Sequence, residues 1–200
     1  MKGNDHHFFA YISRMRFINR WALMRNSYTE NIQEHSHMTA VLAHALAVIR
    51  NQFFDGHVDE GQVAVAALYH DAGEILTGDM PTPVKYKNEA LRSAYKAVEQ
   101  ESARLMASLQ PEALRGETEE FLTGRVLNDA ERKILKAADR LSALIKCLEE
   151  CQSGNREFEA AREQQLAALH GMDCPEAEYF ITHMLPCYTQ NLDELTRGRF

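Results

Sequence analysis

In YHDAGE, Tyr69–Glu74, a histidine stands beside an aspartate directly after the apolar run VAVAAL. Both groups are costly to bury unless they are hydrogen-bonded, paired or bound to a cation. The same conflict recurs elsewhere. His35 sits in EHS at the head of a segment with a core-like apolar pattern, and Asp139 interrupts ILKAADRLSALI directly after two alanines. If these segments meet, His35, His70, Asp71 and Asp139 can present two imidazoles and two carboxylates to one divalent cation. A mixed nitrogen and oxygen set suits Mn²⁺, Co²⁺, Fe²⁺ or Zn²⁺ better than Mg²⁺ or Ca²⁺, which prefer oxygen alone. Neighbouring helix residues point roughly 100° apart, so His70 and Asp71 can share an ion only near a helix end. His37 and His44 compete for the ligand role, although packing is the simpler use of His44 among Ala43, Ala45 and Leu46. No histidine falls between His70 and Asp139, so the chain is supplied for one metal rather than two. His6, His7, His57, His170 and His183 lie in polar or ill-defined contexts and receive no role.

Further groups could act on a substrate. Glu74 comes four residues after His70 and shares its face if the helix continues that far. There it can orient water or pass a proton to a leaving oxygen, and it reads equally well as a solvent-facing helix end. Asp79 follows Gly78 in a turn before PTP, where loops often hold ligand groups, though a plain turn aspartate is the default. The fork of Arg20 can hold two phosphate oxygens, and the indole of Trp21 can form a rigid wall that sorts ligands by size. An exposed arginine beside a partly buried aromatic is the simpler account of that pair. Lys85 is another candidate phosphate partner.

Helices are the elements that must position these residues. Apolar spacing predicts a first helix over about Phe8–Trp21, with Ile12, Met15, Ile18 and Leu23 at its apolar positions, and a second over Gln33–Phe53, with capping oxygens from TEN before it. A third runs from about Asp59 through Ala72 and ends near Gly73; Gly78, Pro81 and Pro83 make the next segment irregular. A fourth covers about Asn88–Leu109, with Leu91, Tyr95, Val98, Leu105 and Leu109 on its apolar face. PEALRGETEEFLTGRVLND is less decisive, a short helix with a surface connection. A long helix then runs from Asp129 to about Glu150, and a final helix or pair covers Glu157–Leu169 and Glu176–Leu195.

The 200 residues, 45% of them hydrophobic, can build a single domain with a real core, and no repeat or composition break divides them. The formal charge of −7 has the wrong sign for gripping a long phosphate backbone, so nucleic acid is not an expected partner. The opening MKGNDHHFFAY lacks the basic segment and uninterrupted apolar run of a secretion signal, and no stretch has membrane-spanning length. The four cysteines form neither a CxxC pair nor a zinc-ribbon pattern, and Cys147 and Cys151 read as small apolar groups on one helix face. A soluble protein of the reducing cytoplasm is the consistent expectation.

The pattern H…HD…D, carried by His35, His70-Asp71 and Asp139, resembles that of the HD-domain metal-dependent phosphohydrolases. RFINRW, TEN followed by EHS, YHDAGEILTGDMPTPVKY and KAADRLSALIKCLEE are similar, along most of the chain, to the small bacterial 5′-deoxynucleotidases of the YfbR type. That resemblance implies an all-α HD-domain helical bundle and a homodimer that removes phosphate from deoxyribonucleoside 5′-monophosphates with Co²⁺, Mn²⁺ or a similar metal. It further implies His35, His70, Asp71 and Asp139 as ligands, Glu74 as the catalytic carboxylate, and Arg20 on the 5′-phosphate. Trp21 would crowd the sugar's 2′ position and Asp79 would bind the 3′-hydroxyl. The rivals are an HD phosphohydrolase for deoxynucleoside triphosphates or cyclic nucleotides, and a non-catalytic helical nucleotide sensor.

Overall fold

The computed structural model describes residues 6–85 and 87–197. Met1–Asp5, which enter the reading of the N-terminus, and Tyr86, the last residue of YHDAGEILTGDMPTPVKY, lie outside them. Eleven α-helices lie among the described residues: α1 Phe8–Ile12, α2 Ile32–Phe53, α3 Glu60–Tyr69, α4 Glu74–Thr77, α5 Thr82–Lys85, α6 Glu89–Ser108, α7 Glu112–Thr123, α8 Asp129–Gln152, α9 Glu159–His170, α10 Pro175–His183 and α11 Leu192–Thr196. The protein is all-α, as the periodicity predicts, with no β-strand among those residues.

The two long helices start at capping boxes. Asn31 caps α2 in exchange with Glu34, and Asn128 caps α8 in exchange with Glu131. Glu131 also accepts the amide of Asp59, 3.0 Å away, so the start of α8 fixes the start of α3. The buried faces of these three helices are rich in alanine: Ala43 and Ala47 on α2, Ala66 and Ala67 on α3, Ala137 and Ala138 on α8. Small side chains let the axes approach closely, and α2 packs mainly against α3 and α8. α9 and α10 cover the same core through Leu169, Ala177 and Phe180. A second core gathers Phe8, Met15, Ile32, Ala72, Ala103 and Met106 under α6.

Several expectations need correction. The first predicted helix ends early: α1 passes into a 3₁₀ turn, Ser13–Phe17, and the backbone is extended at Ile18. The backbone of Ile18 and Arg20 pairs with a returning strand-like segment, Ile32 N donating to Ile18 O at 3.0 Å and Arg20 N to Glu30 O at 2.9 Å. Leu23 is exposed, outside any helix. The third helix stops at Tyr69, and the chain reaches α4 through consecutive bonds back by three residues, from Ala72 to Tyr69 and from Glu74 to Asp71. On α6 the buried face is Tyr95, Ser102, Ala103, Met106 and Ala107, whereas Val98 and Leu105 face outward. Glu112–Thr123 forms a full helix closed by Gly124 in the left-handed conformation, φ 65°. The last segment is broken at Pro186 into α10, a 3₁₀ turn and α11.

Candidate active site

Three separate parts of the bundle bring polar groups to one buried point. The first turn of α2, set by its Asn31 cap, holds His35 with no exposed surface. Its Nδ1 lies 3.0 Å from Ser142 Oγ and its Nε2 3.0 Å from Asp139 Oδ1. Asp139 and Ser142 are three apart on α8, so one helix face holds both ends of the imidazole. The tight turn after α3 supplies His70 and Asp71. His70 Nδ1 donates to Ala67 O at 2.7 Å, which leaves Nε2 as the free ring nitrogen. That nitrogen lies 3.2 Å from Asp71 Oδ2 and 4.0 Å from Asp139 Oδ1, buried and without a hydrogen bond of good geometry. His35, His70 and Asp71 each offer a ligand atom within 4.8 Å of the others. Asp139 stands beside them at the mouth, its side chain 42% exposed.

Electrostatics follow from this crowding. Burial opposes ionisation of Asp71, but His70, then His35 and Arg20, hold it well below the ordinary carboxylate range. Asp139 is likewise held low against burial by His35 and then His70. Burial disfavours an imidazolium at His70, yet Asp71 pushes its pKa up to about 9. Two ionised carboxylates and an unpartnered imidazole nitrogen therefore converge where positive charge is needed, which is what a divalent cation supplies. The donor set fits such an ion.

Glu74, at the start of α4, is nearly buried, and its Oε2 has no hydrogen-bond partner. Burial, with Asp71 and Asp79, pushes its pKa up to about 9; Lys85 and Arg20 offset only part of this. Gly78, at φ 73°, turns the chain after α4 and presents Asp79. Burial raises the Asp79 pKa against the pull of Arg20.

Arg20 and Trp21 come from the folded-back segment, not from a helix. An antiparallel bridge joins Asn19 to Asn31, and Trp21 adopts φ 58°, a conformation unfavourable for a bulky side chain. Its indole packs against Phe158 with ring centroids 5.3 Å apart. Burial disfavours the charge on Arg20, but Glu30, then Asp71, Asp139 and Asp79, raise its pKa. Arg20, Trp21, Asp79 and Asp139 share the lining of a pocket of about 530 Å³, within the usual range for small-molecule sites. His70, Asp71 and Glu74 line a second cavity of about 260 Å³ against Lys96 of α6 and Phe121 of α7. The metal-ligand candidates thus stand between the two spaces. Lys85 does not line the larger pocket; it pairs with Glu99 at 2.7 Å and lies over the Tyr95 ring.

Sequence reasoning did not single out Ser142 or Glu30. The i,i+3 spacing from Asp139 is a signal for Ser142. Glu30 lies inside TEN, whose oxygens suggest helix capping; Asn31 performs that task, while Glu30 turns to Arg20 and Trp21.

A match to the family described as 5′-deoxynucleotidase YfbR-like spans residues 7–188. The 5′-deoxynucleotidase YfbR of Shigella boydii serotype 18 is 44% identical over 191 residues, covering 96% of each chain. Among solved structures, an HD-domain phosphohydrolase from Listeria innocua superposes with a TM-score of 0.81 at 24% identity, over 96% of this chain and 92% of its own. A cyanophage S-2L HD phosphohydrolase, bound to dA and one catalytic Zn²⁺ ion, gives 0.65 at 20% identity, over 90% and 95%. The family match and the near full-length identity agree with the fold: the chain belongs to the YfbR-like 5′-deoxynucleotidase family.

Proposed function

We infer that the protein is a metal-dependent 5′-deoxynucleotidase, which hydrolyses 2′-deoxyribonucleoside 5′-monophosphates to a deoxynucleoside and orthophosphate. The observation that carries the reading is the convergence of His35, His70 and Asp71, with Asp139 beside them at the mouth, next to a nucleotide-sized pocket in a chain of this family. His35, His70, Asp71 and Asp139 hold the ion. When bound, a divalent metal supplies Lewis acidity, making water a nucleophile near neutral pH and polarising the phosphoryl group. Co²⁺ or Mn²⁺ are the first choices for two imidazoles with carboxylates, and Zn²⁺ or Fe²⁺ also suit.

The remaining residues bind and orient. Arg20 engages the phosphate oxygens and opposes the charge that grows on them as the new P–O bond forms and the P–O5′ bond breaks. Glu74, a buried carboxyl with an unpartnered oxygen, gives the proton that O5′ needs to leave. Trp21 walls the sugar's 2′ side, so a ribose hydroxyl meets the indole edge and loses its hydration. Asp79 accepts the 3′-hydroxyl. Lys85, tied to Glu99, acts on the phosphate only at a distance.

We read residues 1–200 as one HD-type domain, because α9 packs on α8 and joins the same core as α2. A cytoplasmic homodimer completes the proposal. Val41, Val65 and Leu68 leave exposed apolar surface that a second copy could cover, and no helix among the described residues is long and apolar enough to cross a membrane.

Phosphate release should be measured for every deoxy- and ribonucleoside 5′-monophosphate against each of these metals. Metal-dependent orthophosphate from the deoxy series, well above the ribo series, is expected. Tripolyphosphate from a deoxynucleoside triphosphate, ring opening of a cyclic nucleotide, or tight nucleotide binding without turnover would each replace the reading with a rival.

A further inference from the structure

Glu30 has no part in the hydrolytic chemistry itself, yet its Oε2 is where the two proposed specificity groups meet. Trp21 Nε1 donates to it at 3.0 Å and Arg20 Nη1 at 3.2 Å. The Arg20 and Glu30 side chains are only 14% and 12% exposed, so this is not a solvent-screened surface pair. Oε2 of Glu30 is the hydrogen-bond acceptor for the indole N–H; Trp21 itself lies outside any helix, and Phe158 packs on its ring without meeting that N–H's need for an acceptor. The carboxylate itself comes from a rigid frame. Its own carbonyl accepts the Arg20 amide, Ile18 accepts Ile32, and Asn31 next in the chain is locked into the α2 cap. A guanidinium has five N–H donors, and the bond to Glu30 uses Nη1, leaving others for an anion.

We propose that Glu30 is the positioning residue for substrate selection: one carboxylate sets the indole wall beside the sugar and aims the Arg20 fork at the phosphate. The proposal rests on the sugar-wall role of Trp21 and the phosphate-binding role of Arg20 in the proposed function. It separates the two jobs by chemistry. The indole needs only an acceptor, which a glutamine oxygen also provides, whereas the guanidinium is oriented by negative charge.

Glu30→Ala, Glu30→Gln, Trp21→Ala and the double variant Glu30→Ala/Trp21→Ala should be compared on deoxyadenosine and adenosine 5′-monophosphates, with bound metal and Tm recorded for each. Glu30→Ala is expected to lower the deoxy-to-ribo ratio of kcat/KM by about 10-fold, the order of one hydrogen bond, with metal content retained. In the Trp21→Ala background the same change should leave the ratio where Trp21→Ala put it. Glu30→Gln should keep the wild-type ratio while raising KM for both substrates. The proposal is overturned if Glu30→Ala lowers kcat/KM equally for both nucleotides, if its effect adds in full to that of Trp21→Ala, or if Glu30→Gln loses the ratio as Glu30→Ala does. An unchanged ratio in Trp21→Ala alone would instead remove the indole wall itself, a distinct failure that takes the selectivity half of this proposal with it.

Discussion

Asp139 and Glu74 are carboxyl groups around the same buried cluster, and their surroundings drive them to opposite charge states. Asp139 accepts the bond from His35 and is held ionised, while Glu74 faces Asp71 and Asp79 in a nearly dry position and tends to keep its proton. Opposed environments of this kind separate a ligand from a proton donor. Asp139→Asn should therefore remove metal and phosphatase activity together, since it weakens the ligand set. Glu74→Gln should bind metal as the wild type does but turn over about 10²–10⁴-fold more slowly. Metal content and kcat measured on the same samples check both; metal loss in Glu74→Gln would make that residue a ligand rather than a proton donor. The cluster residues are legible in the sequence because each is a polar group within, or at one end of, a segment with a core-like apolar pattern. Glu30 carries no such mark, since one more glutamate in an acidic chain gains meaning only when the segment folds back onto Arg20.

The segment between the 3₁₀ turn and α2 shows the same limit for whole elements. Apolar spacing through Ile12, Met15 and Ile18 fits a helix, but partners ten or more residues away, Glu30 and Ile32, take the backbone bonds and override it. The capping boxes of α2 and α8 are local, so the starts of those helices can be read directly. Nor does sequence show that Lys146 and Glu150, four apart on α8, form a fully buried ion pair. Glu150 accepts the amide of Ser27 at 2.9 Å and Asn155 Nδ2 at 2.8 Å, and Lys146 donates to Tyr28 O at 2.7 Å. This pair anchors the far end of the segment that carries Arg20 and Trp21. Lys146→Ala would strand Glu150 without its cation, and a loss of about 3–5 kcal/mol of stability is expected from denaturant unfolding. Burial works to raise the Glu150 pKa, but its bonds to Lys146 and Asn155 bring it down to about 2, below its ordinary 4.5. A depressed folded pKa stabilises fully above the ordinary value and is lost as pH falls toward the folded one. The acid-side drop in Tm between about pH 4.5 and 2 should accordingly be shallower in Glu150→Gln than in the wild type. Parallel curves for the two proteins would mean that the pair does not anchor the segment through its charge.

At the scale of the whole molecule, the proposed ligands join parts of the chain that otherwise meet through core packing and a few side-chain hydrogen bonds. His35 belongs to α2, His70 and Asp71 to the turn after α3, and Asp139 to the middle of α8, the three helices whose alanine-lined faces form the main core. A cation held by all three ties that core from its polar side and neutralises carboxylates that would otherwise repel within a chain of net charge −7. Because the unfolded chain scatters the ligands, an ion selective for the folded state adds stability by mass action, about 2.7 kcal/mol at a hundredfold excess over Kd. For a protein of this size that is a rise in Tm of about 5–10 °C. Chelator treatment followed by readdition of Co²⁺ or Mn²⁺ should lower and then restore Tm by this order, without any substrate present. Asp139→Asn should show little of the shift, and Glu30→Gln, outside the ligand set, should show it in full. A wild-type Tm indifferent to chelator and metal would mean that His70 Nε2 and the two aspartates meet for a structural reason alone, and the hydrolytic centre would have to be sought elsewhere in the bundle.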